Sequence, residues 1–274
     1  MGFVIAAIIT ALLTALVVGS IALRTAGPPR SLPLIALVSA LPLHAASLYL
    51  LRLPLHGVLK EQLSPDVLFW VSGLYAPLLE EPAKWLVLFL PFIARRLTPQ
   101  NAIGVALAVG LGFGLGEIGT LTVRTLVNAP ETTHLPFYIY TGFLVERLLV
   151  CFLHGAMIAL VALRLAQGRP VWPAMLLGLV LHYLVNLPIA LMQIEAFGID
   201  RDVWLGLAMP WLIVMTLGLA VYLAAQVQRT SGRALLGEAT CGACAKPFER
   251  SLLAFNVGPW KLQRCPHCGR WQLV

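Results

Sequence analysis

Charge is in short supply in this sequence. Only 11% of the 274 residues are Asp, Glu, Lys or Arg, against 59% hydrophobic residues and a mean hydropathy of +0.86, whereas soluble domains carry about 25% charged residues. That shortage excludes an ordinary soluble domain and indicates an integral membrane protein. Cysteine is scarce as well, and five residues do not make a disulfide-rich secreted scaffold. Neither GxSxG nor HExxH occurs, so serine-elbow and zincin chemistry lack a sequence basis. No basic segment precedes the first apolar run, which is also too long for a signal-peptide core, so it is expected to remain as a helix. Ala6 stands where N-myristoylation of Gly2 would call for Ser or Thr.

Long apolar runs are what the chain has in place of charge. Runs of about 20 residues, enough to cross roughly 30 Å of hydrocarbon, lie near 2–23, 31–53, 66–93, 101–127, 138–163, 171–192 and 203–226. They predict an all-α polytopic bundle of about seven transmembrane helices, with 54–65 as a short surface helix. The loops after the first, third and fifth runs hold Arg24 and Arg30, Arg95 and Arg96, and Arg164 and Arg169, with no Asp or Glu. Short basic loops mark the cytoplasmic side, which places the N-terminus outside and the C-terminal tail inside, in a cytoplasmic (inner) membrane. The same arginines explain much of the net charge of +7, so no nucleic-acid partner is expected.

Composition divides the chain into a membrane domain, 1–227, and a polar, basic tail, 228–274. The tail carries Cys241-x-x-Cys244 and Cys265-Pro-His-Cys268-Gly, the spacing of two knuckles that supply four thiolates to a tetrahedral zinc. A structural zinc ribbon is expected, closed to substrate because four cysteines fill the coordination shell. His267 lies between two ligands and is the alternative fourth donor. Cys151, alone in the fifth run, reads as a small buried residue.

Ionisable residues inside the apolar runs carry the functional signal, because each costs about 2.5–3.5 kcal/mol at mid-bilayer for Asp, Lys or Arg. They are His44, Glu80, Glu81, Lys84, Glu117, Glu146, Arg147, His154 and His182. At about 1.5 Å per residue, Glu80, Glu117, His154 and His182 fall within roughly 10 Å of one depth, as residues around one cavity would. Glu80 and Lys84 are spaced to pair along a helix face, as are Arg147 with His154 and His182 with Asn186. His44 reads as structural and Glu146 as facing the interface. Pro82 predicts a kink or hydrated pocket beside the glutamates. Gly112 and Gly116 form a close-approach face, and the GxGxxG match at Gly114, Gly116 and Gly119 is spurious inside a span.

Clustered carboxylates and histidines in a water-poor cavity suit hydrolysis. Either a glutamate acts as general base on water, or His154, His182 and a glutamate hold a metal that activates it. The motifs Glu80-Glu81-x-x-Lys84, Phe113-x-x-x-Glu117, Arg147 with His154-Gly-Ala, and His182-x-x-x-Asn186 resemble those of the PrsW family of intramembrane proteases. That family is similar to the CAAX-processing and bacteriocin-immunity membrane proteases, whose motifs are EExxxR, FxxxH and HxxxN. Lys84 and the Glu ending the FxxxE motif favour the PrsW side, while Ile118 stands where members often carry Asn. The resemblance covers roughly residues 65–190 and implies a glutamate-dependent or metal-dependent endopeptidase acting on membrane-anchored substrates such as anti-sigma factors. It implies water activation at Glu80 and Glu81, a site completed by Glu117, His154 and His182, and support from Lys84, Phe113, Arg147 and Asn186. The ribbon lies outside the resemblance and is expected to recruit a cytoplasmic partner. A proton- or cation-coupled transporter and a non-catalytic scaffold presenting the ribbon are the alternatives.

Overall fold

A computed structural model describes residues 1–27, 30–231, 238–250, 254–257 and 260–274. Contacts divide the chain into two compact units, Met1–Leu217 and Gly218–Val274. In chain order the helices of the first unit are α1 (Gly2–Ala26), α2 (Ser31–Gln62), α3 (Pro65–Gly73), α4 (Glu81–Phe89), α5 (Ala102–Asn128), α6 (Thr141–Ala166), α7 (Trp172–Gln193) and α8 (Arg201–Ser231), the last ending in the second unit. Among the described residues six helices are long and apolar enough to cross a membrane: α1, α2, α5, α6 with the short turn before it, α7 and α8.

Two sequence expectations need correction. The third run, 66–93, where a break is expected at Pro82, is divided further and is not among the six spanning helices: it comprises α3, a π-helical turn at Ala76–Glu80, α4, and a single turn at Pro91–Ala94. Proline causes the breaks. Pro82 occupies the start of α4, where its missing N–H would lack a helical partner anyway, and Leu90 turns extended (ψ 127) ahead of Pro91. The second correction is that 54–65 forms no separate surface helix, because α2 continues to Gln62 through a π-helical turn at Ser47–Arg52.

The core is built around α5. Every residue from Ala102 to Gly114 is buried, and α6 is buried almost throughout from Cys151 to Leu163. Glycine makes this possible by letting helix backbones touch. A Cβ at Gly110 would lie 2.0 Å from the Gly155 nitrogen of α6, and Cβ atoms at Gly112 and Gly116 would each lie 2.1 Å from carbonyl oxygens of α2, at Leu37 and Leu41. The outer helices α1, α2, α7 and α8 instead expose leucines and valines such as Leu12, Leu50, Val180 and Leu217, the surface expected against lipid. Cys151 is buried against Ala7 and Ile118, in keeping with its reading as an apolar residue.

Among the described residues the second unit holds five short strands. Strand β1 (Glu238–Thr240) pairs antiparallel with β2 (Pro247–Glu249). Strands β3 (Phe255–Val257), β4 (Trp260–Arg264) and β5 (Trp271–Leu273) form an antiparallel meander.

Candidate functional site

The π-helical turn delivers the site. A π turn inserts an extra residue and re-aims the side chains after it, which is why such turns accompany functional sites. Here it ends at Glu80, and α4 begins at Glu81, so both carboxylates turn inward and are 6% and 0% exposed. Lys84, one turn on, is also fully buried.

A continuous polar network joins five segments. The Lys84 ammonium donates to Glu81 Oε1 at 2.5 Å and to His154 Nδ1 at 2.9 Å. An ammonium has only donors, so His154 Nδ1 accepts and its Nε2–H points to Glu117 Oε2 at 3.3 Å. Glu117 Oε1 is held by Arg147 Nη1 at 2.7 Å, and Arg147 also pairs with Glu146. On the other side, His182 Nδ1–H donates to Glu81 Oε1 at 2.7 Å. In the neutral ring that bond makes Nε2 an acceptor, and Nε2 lies 3.9 Å from Glu80 Oε2. Phe113 packs beneath, its ring 5.1 Å from His154 and 4.9 Å from the Lys84 ammonium, an arrangement that adds a cation–π attraction.

A cavity of about 440 Å³ opens on this network. Glu80, Glu117, Arg147, His154, His182 and Asn186 give it a polar wall, and Leu205, Ala208, Met209 and Leu212 of α8 give it an apolar one. Glu81 does not line it. The two adjacent glutamates therefore have different surroundings: Glu80 meets the cavity, and Glu81 lies behind, holding Lys84 and His182 in place.

All five residues expected to be catalytic come together, as do Lys84, Phe113 and Arg147. The pairing within α4 differs from the expected one, since Lys84 binds Glu81 three residues back and not Glu80 four back; Glu80 instead has Arg52 at 3.9 Å. Asn186 lines the cavity, but no hydrogen bond joins it to His182 among the described residues. Sequence reasoning passes over two neighbours. His44, read as structural, places Nε2 4.0 Å from Glu117 Oε1 and packs edge-on against Phe113. Arg52, at the end of its apolar run, gives no signal of its own. Depth would have found His44, about 20 Å along α2 from Ser31, beside Glu117, about 22 Å along α5 from Ala102.

Glu81, His154 and His182 offer ligand atoms within 4.8 Å of one another, the set expected for an intramembrane metal. The Lys84 ammonium, however, already takes Glu81 Oε1 and His154 Nδ1. The lysine cation and a metal would thus compete for this set, in which Glu81 Oε2 is buried without a partner.

In the second unit Cys241, Cys244, Cys265 and Cys268 converge, all sulfurs lying within 4.8 Å. The Cys241–Cys268 and Cys244–Cys265 sulfur separations are 3.6 and 3.8 Å, close to the edge of about 3.8 Å for a tetrahedron with arms of about 2.3 Å. Each knuckle closes with a backbone bond, Ala245 N–H to Cys241 O at 2.8 Å and Gly269 N–H to Cys265 O at 2.9 Å, and both closing residues have positive φ (57° and 75°). The Ala243 and Cys244 N–H groups pull the Cys241 thiol down to about 6. Against a lowering bond from the Lys246 N–H, burial and the neighbouring thiols push Cys244 up to about 11. Thiols that share protons in this way bind a cation by releasing them. His267 lies outside the group of converging donors, and its Nε2–H donates to the Pro247 carbonyl at 3.1 Å. The chain is thus a membrane protein with a four-cysteine site able to hold a metal. Comparison with protein-family models, with curated proteins and with solved structures gives no match.

Proposed function

We propose that the chain is an intramembrane endopeptidase that hydrolyses peptide bonds of membrane-anchored proteins with a glutamate-activated water. The observation that carries this reading is the pair of acceptors, Glu80 Oε2 and His182 Nε2, facing each other across 3.9 Å at the cavity wall. With the His182 Nδ1–H committed to Glu81, both acceptors are open to the two protons of one water at hydrogen-bond distances of about 2.8 Å. Glu80 takes a proton as that water attacks the carbonyl carbon, and returns it to the leaving amine. Arg147 and Asn186, on the same wall, are the donors placed for the oxyanion. Glu81 and Lys84 position His182 and His154. The apolar wall from α8 suits a hydrophobic peptide segment, and the motif resemblance to the PrsW family points the same way.

The four tail cysteines fit zinc, and as a closed shell it would order the ribbon without entering catalysis. The ribbon then serves to recruit a cytoplasmic partner, with the N-terminus outside the inner membrane. The continuous network from Arg52 to Glu146 also suits a proton relay, which keeps a proton-coupled transporter as the second reading. Reconstituted protein separates the two. Wild type should cleave a membrane-anchored test substrate and Glu80→Gln should not, with its thermal midpoint unchanged. Unimpaired cleavage by Glu80→Gln/Glu81→Gln would falsify the site assignment, and pH-gradient-driven uptake without cleavage would establish the transporter.

A further inference from the structure

A separate cavity of about 240 Å³ is lined by Arg52, His56, Ser72, Tyr75 and Arg124 together with two leucines, and among the described residues no carboxylate lines it. Two guanidinium groups, an imidazole and two hydroxyls thus share one small space, the Ser72 hydroxyl being committed to the Phe69 carbonyl. Tyr75 is only 4% exposed, and its buried hydroxyl has no hydrogen-bond partner. The His56 ring meets the tyrosine ring edge-on at 6.0 Å. Buried hydroxyls are nearly always satisfied, so an unpartnered one beside a cationic cavity indicates a missing acceptor. The cations are available: Arg52 keeps 40% of its side chain exposed and stands at the 3.9 Å limit of an ion pair with Glu80, and Arg124 is exposed.

Depth selects the kind of anion. Helices α2 and α5 run parallel, since Gly112 meets Leu37 and Gly116 meets Leu41. Arg52 lies about 32 Å along α2 from Ser31, and Arg124 about 33 Å along α5 from Ala102. Across a hydrocarbon core of about 30 Å both guanidinium groups reach the headgroup level of the same leaflet. Planar guanidinium forks match phosphate oxygens, and a tyrosine hydroxyl can donate to a third oxygen.

We propose that this cavity binds the phosphate of an anionic phospholipid headgroup, held by Arg52 and Arg124 and completed by the Tyr75 hydroxyl. The site shares Arg52 with the Glu80 network, but binding is read without cleavage, so it stands or falls apart from the proposed hydrolysis. The test uses full-length protein in neutral detergent, titrated with phosphatidylglycerol, with diacylglycerol of the same chains, and with inorganic phosphate. Binding is read from intrinsic tryptophan fluorescence and from the thermal midpoint. Phosphatidylglycerol should bind and raise the midpoint, diacylglycerol should not, and Arg124→Gln should weaken binding about tenfold or more. Tyr75→Phe should weaken it several-fold with the fold intact, and Arg30→Gln, at the opposite end of α2, should not change it. Saturable binding of inorganic phosphate with the same dependence on Arg124 and Tyr75 would support the same site with a free phosphate as its occupant. Equal affinity in wild type, Arg124→Gln and Tyr75→Phe, or equal shifts from diacylglycerol, would overturn the proposal.

Discussion

Replacing Lys84 by Met tests whether a lysine is the resident cation of the intramembrane site. Lys84 and Glu81 are both fully buried and lie 2.5 Å apart. At an effective dielectric constant of about 20 their attraction is about 7 kcal/mol before desolvation. Lys84→Met removes the cation and leaves a buried carboxylate whose second oxygen, Oε2, already lacks a partner, and breaking a buried pair in this way costs about 3–5 kcal/mol. Adding Glu81→Gln removes the orphaned charge and keeps an oxygen to accept the His182 Nδ1–H. The double variant should recover about 2 kcal/mol or more of the loss. Denaturant titration in mixed micelles measures all three proteins. A Lys84→Met cost below about 1 kcal/mol, or a double variant as unstable as the single one, would refute this account of the ion pair.

The two glutamates should separate by readout: Glu80→Gln lowers cleavage about 10²-fold or more without loss of stability, while Glu81→Gln also destabilises, because Lys84 then lacks its counter-charge; activity and unfolding of both variants decide it. Gly110→Leu should push α5 and α6 apart, since even a Cβ there would lie 2.0 Å from backbone; the expected loss is about 3 kcal/mol or more, above ordinary overpacking, measured against Gly119→Ala, which meets nothing within 4 Å. Purified protein should hold one zinc, lost in Cys241→Ser or Cys268→Ser, by elemental analysis. Because zinc binds these thiols by displacing their protons, its affinity and the stability it confers should fall steadily as pH is lowered, read by chelator competition at several pH values; an affinity independent of pH would contradict this.

Much of the site is legible in the sequence because charge inside a bilayer is rare. Glu80, Glu117, His154 and His182 stand out against apolar surroundings, and helix rise alone puts them at one level. The cysteine spacing specifies the tail site for the same reason, since few other structures need that pattern. The fold around Glu80 is harder to read. Pro82 announces a break, but whether the backbone answers with a kink or a π turn depends on packing against α7, and that choice decides that Lys84 meets Glu81 and not Glu80. Arg52 and His44 are easily passed over because single residues at a run's end, or alone in a run, give no periodic signal. Their partners lie on other segments, Glu117 of α5 for His44 and Glu80 of the π turn for Arg52, and only the packing of α2 against those segments reveals them.

The placement of counter-charges also bears on how such a chain enters its membrane. Glu81 and Lys84 neutralise each other within one turn of α4, so this segment carries a paired charge into lipid without needing a counter-charge from another helix. Glu117 has no such provision: the cation that holds it, Arg147, belongs to α6, the next long helix to be synthesised. The glycine-lined contact between α5 and α6 brings these two charges together at once, and the pair of helices is best inserted as a hairpin. A ribosome pausing between them would leave Glu117 in the bilayer without its arginine, and the spacing of the two helices limits how long that exposure lasts.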